Sequence, residues 1–279
     1  MGNAFQRCMA RMALMVVPLA ALLWDPAPGL AGTITLGSAQ GFAVLGGQTV
    51  TNTGSTTIRG DVGVYPGSAI TDQTDISLTT GTFHESDAVA QNAESAATAA
   101  YIALAGQSAT STLSGQDLGG MTLAPGVYFF SSTAQLTGVL TLDFGTTPNA
   151  DFIFQIGSGL TTASDSSVVV KNAGAGSGVY WQVGSSATLN TGTAFAGNIV
   201  ALTSIFMRTD ATILCGRALA RNGEVTMDTN TISDTCSVDN GSGGFSGAPE
   251  PGTLTLLGMG LGAGFLLLCK FRSIGQAGR

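Results

Sequence analysis

Gly197-Asn198-Ile199-Val200-Ala201 is answered nineteen residues later by Gly216-Arg217-Ala218-Leu219-Ala220. The first block leads to Met207-Arg208-Thr209 and the second to Met227-Asp228-Thr229. Upstream, Phe154-Gln155-Ile156-Gly157-Ser158 corresponds to Trp181-Gln182-Val183-Gly184-Ser185, and these lead to Leu160-Thr161-Thr162 and Leu189-Asn190-Thr191. Aligned on the threonine, the marks are Thr162, Thr191, Thr209 and Thr229, at intervals of 29, 18 and 20. Unequal intervals with like content describe stacked coils whose loops differ in length. Each coil holds short runs such as Val168-Val169-Val170 and Val179-Tyr180-Trp181-Gln182-Val183, broken by Gly, Ser and Asn turns. One such coil cannot bury its apolar side, whereas a stack buries a continuous column. The predicted fold is mostly β, a parallel β-solenoid. A β-sandwich of the same short strands is its rival.

One segment departs from this pattern. Residues 84–107 are alanine-rich and free of Gly and Pro until Gly106, with Ser86 as a possible cap. Val89, Ala93, Ala96, Ala100 and Leu104 recur at helical spacing. They predict one long α-helix over about 85–106, its small-residue face laid along the solenoid.

Composition narrows the function. The chain has 279 residues, 40 of them glycine, and charged residues are only 10%. Just two are lysines, Lys171 and Lys270, which excludes a nucleic-acid partner, since phosphates call for a basic face. The low charge and 44% hydrophobic content also exclude a disordered chain. The N-terminus reads as a secretory leader (1–31): Arg7 and Arg11, an apolar stretch over 12–24, then Gly29-Leu30-Ala31. Between the ends, residues 32–248 carry five basic and fifteen acidic side chains. Cys215 and Cys236 are the only cysteines there, and an even pair in an exported chain predicts one disulfide. The working domain is taken as 32–238 and a Gly/Ser-rich linker as 239–247.

Residues 248–279 begin Ala248-Pro249-Glu250-Pro251, continue with an almost uncharged stretch over 252–269, and end with Lys270 and Arg272 in a basic tail. This order resembles the PEP C-terminal sorting signal of Gram-negative bacteria, with Pro249, Glu250 and Pro251 as its motif. The resemblance implies export and C-terminal processing machinery as partners, with a secreted or cell-surface destination. Eighteen apolar residues are also just long enough for a transmembrane segment, so a transient or retained membrane anchor is expected.

Several ordered motifs carry a second resemblance. They include Gly60-Asp61-Val62-Gly63-Val64, Leu123-Ala124-Pro125-Gly126-Val127-Tyr128, Phe152-Ile153-Phe154-Gln155-Ile156-Gly157 and Leu219-Ala220-Arg221-Asn222-Gly223. From about Leu36 to Cys236 the chain resembles the bacterial and fungal ice-binding-like family. The resemblance implies an irregular right-handed triangular solenoid with one flanking helix, its first coil lying beside the last coils in space. It implies adsorption to an ice crystal surface through one flat face. Family members carry variants of Thr-(Ala/Gly)-x-(Thr/Asn) on that face. Here Thr53-Gly54-Ser55-Thr56 matches, while Thr162-Ala163-Ser164-Asp165, Thr191-Gly192-Thr193-Ala194, Thr209-Asp210-Ala211-Thr212 and Thr229-Asn230-Thr231 are departures. The expected face therefore comprises Thr53, Ser55, Thr56, Thr162, Ser164, Thr191, Thr193, Thr209, Ala211, Thr212, Thr229 and Thr231. Asp165 and Asp210 are expected to weaken it.

Threonine suits this task. Its methyl orders water, its hydroxyl anchors that water, and its branched Cβ leaves little χ1 freedom to lose. Threonine also simply suits strands. Catalysis has little support. His84 is the only histidine and reads as a capping or solvated residue at the helix start. Asp143 and Asp151 read as turn residues rather than a glycosidase pair. Trp181 and Tyr180 read as core and strand edge. There is no zinc spacing, phosphate loop or nucleophile elbow, so neither metal nor cofactor is expected. A structural or adhesive matrix protein on the same fold, its face binding extracellular polysaccharide, is the alternative function.

Overall fold

The computed structural model describes residues 34–235, except Pro148 and Ala175. The leader, Cys236, the linker, the Pro-Glu-Pro motif and the stretch 252–269 lie outside the described residues. Each coil supplies short strands to three faces, as Gly178–Val183, Ala187–Leu189 and the first part of Ala194–Ala201 do. Neighbouring coils pair in parallel and stack like on like: Phe154 beside Trp181, Gly197 beside Gly216. The repeat has a packing cause. A Cβ on Gly216 would lie 1.9 Å from the Gly197 carbonyl oxygen, so the close approach of these strands requires glycine. Inside the stack, Phe154 and Trp181 are fully buried, their rings parallel with centroids 3.9 Å apart.

The first coil extends the stack beyond the last coils. Val44 pairs with Ala218, Val50 with Val225 and Thr57 with Thr231. The chain adds one further coil there, through Asp61–Val64, Ala69–Ile70 and Ile76–Thr80, and ends it at Phe83–Glu85. It must then return to the far end, where Ser111–Thr112 pairs with Gly126–Phe130. Eight strand spacings separate the two ends, about 38 Å. Helix α1, Ala88–Ala105, covers most of that distance, since 18 residues rise about 27 Å. Ala93, Ala97, Ala100 and Leu104 are buried against Phe42, Leu45, Val127, Ile153, Val200 and Leu219, and Ala90 is buried in the first turn. The expected stripe holds at Ala93, Ala100 and Leu104. Val89 is instead 48% exposed, the buried place in the first turn being taken by Ala90; Asp87, rather than Ser86, caps the helix and accepts the Ala90 N–H at 2.8 Å.

At one corner the chain turns through left-handed residues stacked coil on coil: Asp165 (φ +57°), Gly192 (+70°), Asp210 (+60°) and Thr229 (+54°). A backbone ladder continues round the turn, Asp165 N–H to Thr191 O at 2.9 Å, Gly192 N–H to Thr209 O at 3.1 Å and Asp210 N–H to Thr229 O at 3.2 Å. Aspartate tolerates this conformation better than most residues. Asp165 and Asp210 are thus explained by the turn itself.

One expectation is corrected, and another reaches beyond the described residues. Among the described residues no helix is long and apolar enough to cross a membrane, so the expected transmembrane segment has no counterpart in the described structure. Cys215 is disulfide-bonded and holds a kink, φ +60°, within Thr212–Ala220. The expected pair with Cys236 is not part of the described structure, because Cys236 lies outside it.

Two predictions follow from the helix and the corner. Glu94 is only 8% exposed on the solenoid side of α1, and its Oε1 has no hydrogen-bond partner among the described residues. Arg221 donates instead to Thr98 Oγ1 at 3.1 Å and lies 4.6 Å over the Tyr101 ring. Burial, only partly offset by Arg221, pushes the Glu94 carboxyl up to about 8 from its ordinary 4.5. A raised folded-state value means stability is fully present below the unfolded value and is lost as pH rises toward about 8. Glu94→Gln removes that loss. Its melting temperature is expected to exceed the parent's by several degrees at pH 8, the gap closing as pH falls to 4.5; a gap that does not change with pH rules the carboxyl out. At the corner, Asp210→Gly is expected to leave melting unchanged or slightly raised. Asp210→Val is expected to cost about 1–2 kcal/mol, read by chemical denaturation, because a β-branched side chain fits the left-handed region poorly.

Candidate functional site

Of the three faces, one is covered by α1 and one is hollowed. The hollowed face carries a shallow apolar groove lined by Val169, Phe195, Ala196 and Leu214, with Arg59 at its rim. Its strands belong to a sheet whose register shifts at Ala196/Gly197 and at Ile58/Arg59. The third face is a separate seven-stranded parallel sheet. Its order is Ala134–Leu136, Leu160–Thr162, Ala187–Leu189, Ile205–Met207, Val225–Asp228, Thr49–Thr53 and Ala69–Ile70. None of its pairings contains a register shift.

Strict alternation sorts the side chains of this sheet. Leu160, Ala187, Ile205, Val225 and Val50 point inward, fully buried. The residues after them point outward and stand in one column by register: Gln135, Thr161, Thr188, Phe206, Thr226, Thr51. Four of the six are threonines, spaced about 4.7–4.9 Å from rung to rung. The flanking outward columns lie roughly 6.5–7 Å to either side. One contains Ser186, Glu224 and Thr49, with Ser204 buried among them; the other contains Ala163, Asn190, Arg208, Asp228 and Thr53. The central column carries no charge, so it presents hydroxyls and methyls without an ionic hydration shell to disturb ordered water.

The twelve expected residues do not form this column. They gather at the corner beside it. Thr53, Ser55, Ser164, Thr191, Thr209 and Thr231 are exposed there, and Thr212 and Thr229 are half-buried. Thr56, Thr162, Thr193 and Ala211 are corrected outright: they are 1%, 0%, 0% and 0% exposed and point into the solenoid. The physical reason is register. Leu160 pairs with Ala187, not Leu189, so Thr162 lies level with Leu189 on the inward side, while Thr191 lies past the strand end. The missed residues are Thr51, Thr161, Thr188 and Thr226. Their signal was the local pattern: each threonine follows a buried apolar residue within the first three residues of a three- to five-residue strand.

The remaining candidates resolve as structural. His84 Nδ1 lies 2.8 Å from Asp87 Oδ2, beside the helix cap. The Asp143 carboxyl is held below its ordinary value by Asn172, and it accepts the Gly145 N–H at 2.9 Å in a turn. Burial pushes Asp151 up to about 6. Among the described residues no three His, Cys, Asp or Glu side chains stand close enough to hold a metal ion.

Comparison with known proteins agrees with this architecture. The ice-binding-like family model matches residues 44–233. An ice-binding protein of Nostoc sp. (strain HG1) is 53% identical over 227 residues, covering 81% of this chain and 83% of that one. The solved ice-binding protein from an Antarctic biological consortium superposes with a TM-score of 0.68 at 44% identity, covering 72% of this chain and 90% of that one. That of the Antarctic ascomycete Antarctomyces psychrotrophicus gives 0.65 at 35% identity, covering 72% and 97%. Relatives named as ice-binding proteins also occur in the fungi Flammulina populicola and Typhula ishikariensis. The expected Gram-negative, membrane-anchored localisation is therefore corrected: the family extends beyond bacteria, and no membrane-crossing helix occurs among the described residues. With a family model spanning most of the domain and a relative more than half identical, the chain belongs to the ice-binding-like family.

Proposed function

We propose that this chain is a non-enzymatic ice-binding protein, adsorbing to ice through the seven-stranded sheet with Thr51, Thr161, Thr188 and Thr226 at its centre. The observation that carries the reading is the shift-free column of outward threonines. Ice offers no pocket and little charge to grip, so a binder needs a wide, neutral surface that holds water in a fixed array. Thr53, Ser55, Ser164, Thr191, Thr209, Thr229 and Thr231 border that surface as its rim.

In this reading residues 1–31 are a leader met by export machinery, 32–238 are the working domain, 239–247 a linker, and 248–279 a tail read at Pro249-Glu250-Pro251 by a processing enzyme. An exported chain would meet extracellular polysaccharide as well as ice. The threonine column favours ice over that second partner, because sugar platforms use exposed aromatic rings and only Phe206 interrupts the column.

Thr188→Tyr is the direct test. The ring would stand proud of the central column and hold several rungs away from the ice, so thermal hysteresis and recrystallisation inhibition are expected to fall by about tenfold or more. Because the side chain faces outward, stability should move by only about 0.5 kcal/mol. Thr191→Tyr, at the rim, is expected to keep most of the activity. Parent protein without either activity, or Thr188→Tyr with full activity and an intact fold, would discard the reading. Binding of extracellular polysaccharide by an ice-inactive parent would establish the matrix alternative.

A further inference from the structure

We propose that a buried chain of hydroxyls and amides inside one solenoid corner holds the margin of the seven-stranded sheet in register for ice, with Thr193 and Asn230 as its positioning residues. The proposal rests on the adsorption reading above. Five polar side chains, Thr56, Thr162, Ser166, Thr193 and Asn230, are no more than 2% exposed in this corner of an otherwise apolar stack. Burying a polar group costs stability unless it is fully paired. The corner does not need polarity to pack: Ala211 fills the position of Thr193 one coil further on. Something other than filling space therefore accounts for these hydroxyls and amides.

Their bonds grip the margin column. The Asn190 N–H donates to Thr162 Oγ1 at 3.0 Å, and the Thr162 and Thr193 hydroxyls are 2.7 Å apart. With the Thr193 hydroxyl donating to the Ala163 carbonyl at 3.4 Å, the hydrogen between the two hydroxyls comes from Thr162. Asn190 Nδ2 adds a bond to the Thr162 carbonyl at 2.7 Å. The coils of Leu160–Thr162 and Ala187–Leu189 are thereby closed into a ring of bonds. Asn230 performs the same task further along. Its Nδ2 donates to the carbonyls of Arg208 and Ala211 at 2.9 and 2.8 Å, and its Oδ1 accepts the Asp228 N–H at 2.6 Å. Its own N–H donates to Thr56 Oγ1 at 3.1 Å, which brings in a third coil. Ala163, Asn190, Arg208 and Asp228 are the outward margin of the sheet. The backbone ladder sets the register of the strands, and where those strands end the apolar column beneath is non-directional, so these side-chain bonds add the directional hold at the margin. Adsorption needs many weak contacts at once, so a margin that slips loses them together.

Thr193→Val tests this, since it keeps the volume and removes the hydroxyl. In the full-length chain, recrystallisation inhibition is expected to weaken about fivefold or more. Exchange of the Asn190 amide proton should quicken, and Thr193→Ser should restore both. Melting should fall by only a few degrees. Ice assays run near 0 °C, far below melting, so a residue that merely stabilised the fold would leave activity intact. Should Thr193→Val fail to fold, Ser166→Ala asks the same question one coil away, where Ser166 Oγ donates to the Leu136 carbonyl at 3.0 Å. Thr193→Val, or Ser166→Ala in its place, with full activity beside an inactive Thr188→Tyr overturns this inference alone. Full activity in Thr188→Tyr overturns the adsorption reading instead.

Discussion

The parallel pairing of the first coil with the last ones governs the rest of the molecule. A coil of this length has two open edges, and only a neighbour on each side satisfies its backbone and covers its apolar interior. Phe42–Gly46 meets that need twice, pairing with Thr212–Ala220 on one side and Asp61–Val64 on the other. A buried guanidinium fastens the same seam. Arg217, 4% exposed, donates from Nε and Nη2 to the Gln40 carbonyl at 2.9 and 2.7 Å, and from Nη1 to Asn198 Oδ1 at 2.8 Å. The order of the stack then obliges the chain to travel back along it, and α1 is that return path. Occupying one face, the helix leaves the seven-stranded sheet open.

The sparse charges follow the same division of labour. Arg217 seals the seam and Arg221 clasps α1, while Asp165 and Asp210 occupy left-handed turns. Arg208, Asp228 and Glu224 stand on the flanking columns. The centre of the sheet is left to uncharged side chains, which suits a surface whose partner is solid water.

Parts of this were legible in the sequence because packing wrote them there. Gly197 and Gly216 recur since no side chain fits between those strands, and Phe154 and Trp181 recur since they stack inside the column. The helix announced itself by its stripe of small residues. The face was harder to read. Leu160-Thr161-Thr162 and Leu189-Asn190-Thr191 look equivalent, yet the turns after Ile156 and Val183 are equal in length, so Leu160 pairs with Ala187 and the apparent match is two residues out. A slip of two residues preserves the alternation along a strand, so nothing in the strand itself exposes the error. It shows only at the corner, where Thr162 is inside and Thr191 outside. Buried threonines and displayed threonines have the same composition, and their bonding partners come from coils that no local pattern reveals.

The position of the first coil also bears on how the molecule comes into being. Its strands emerge first from synthesis, but the partner strand Thr212–Ala220 is 166 or more residues away in the chain. Until that strand arrives, Phe42–Gly46 has one unpaired edge and the Gln40 carbonyl lacks the Arg217 guanidinium that it accepts from. Contacts of such sequence separation are slow to form and leave strand edges exposed meanwhile. A chain threaded through a membrane from its N-terminus would have its last coils delivered late, on the far side. The architecture thus defers completion of the fold until nearly all of the domain is present.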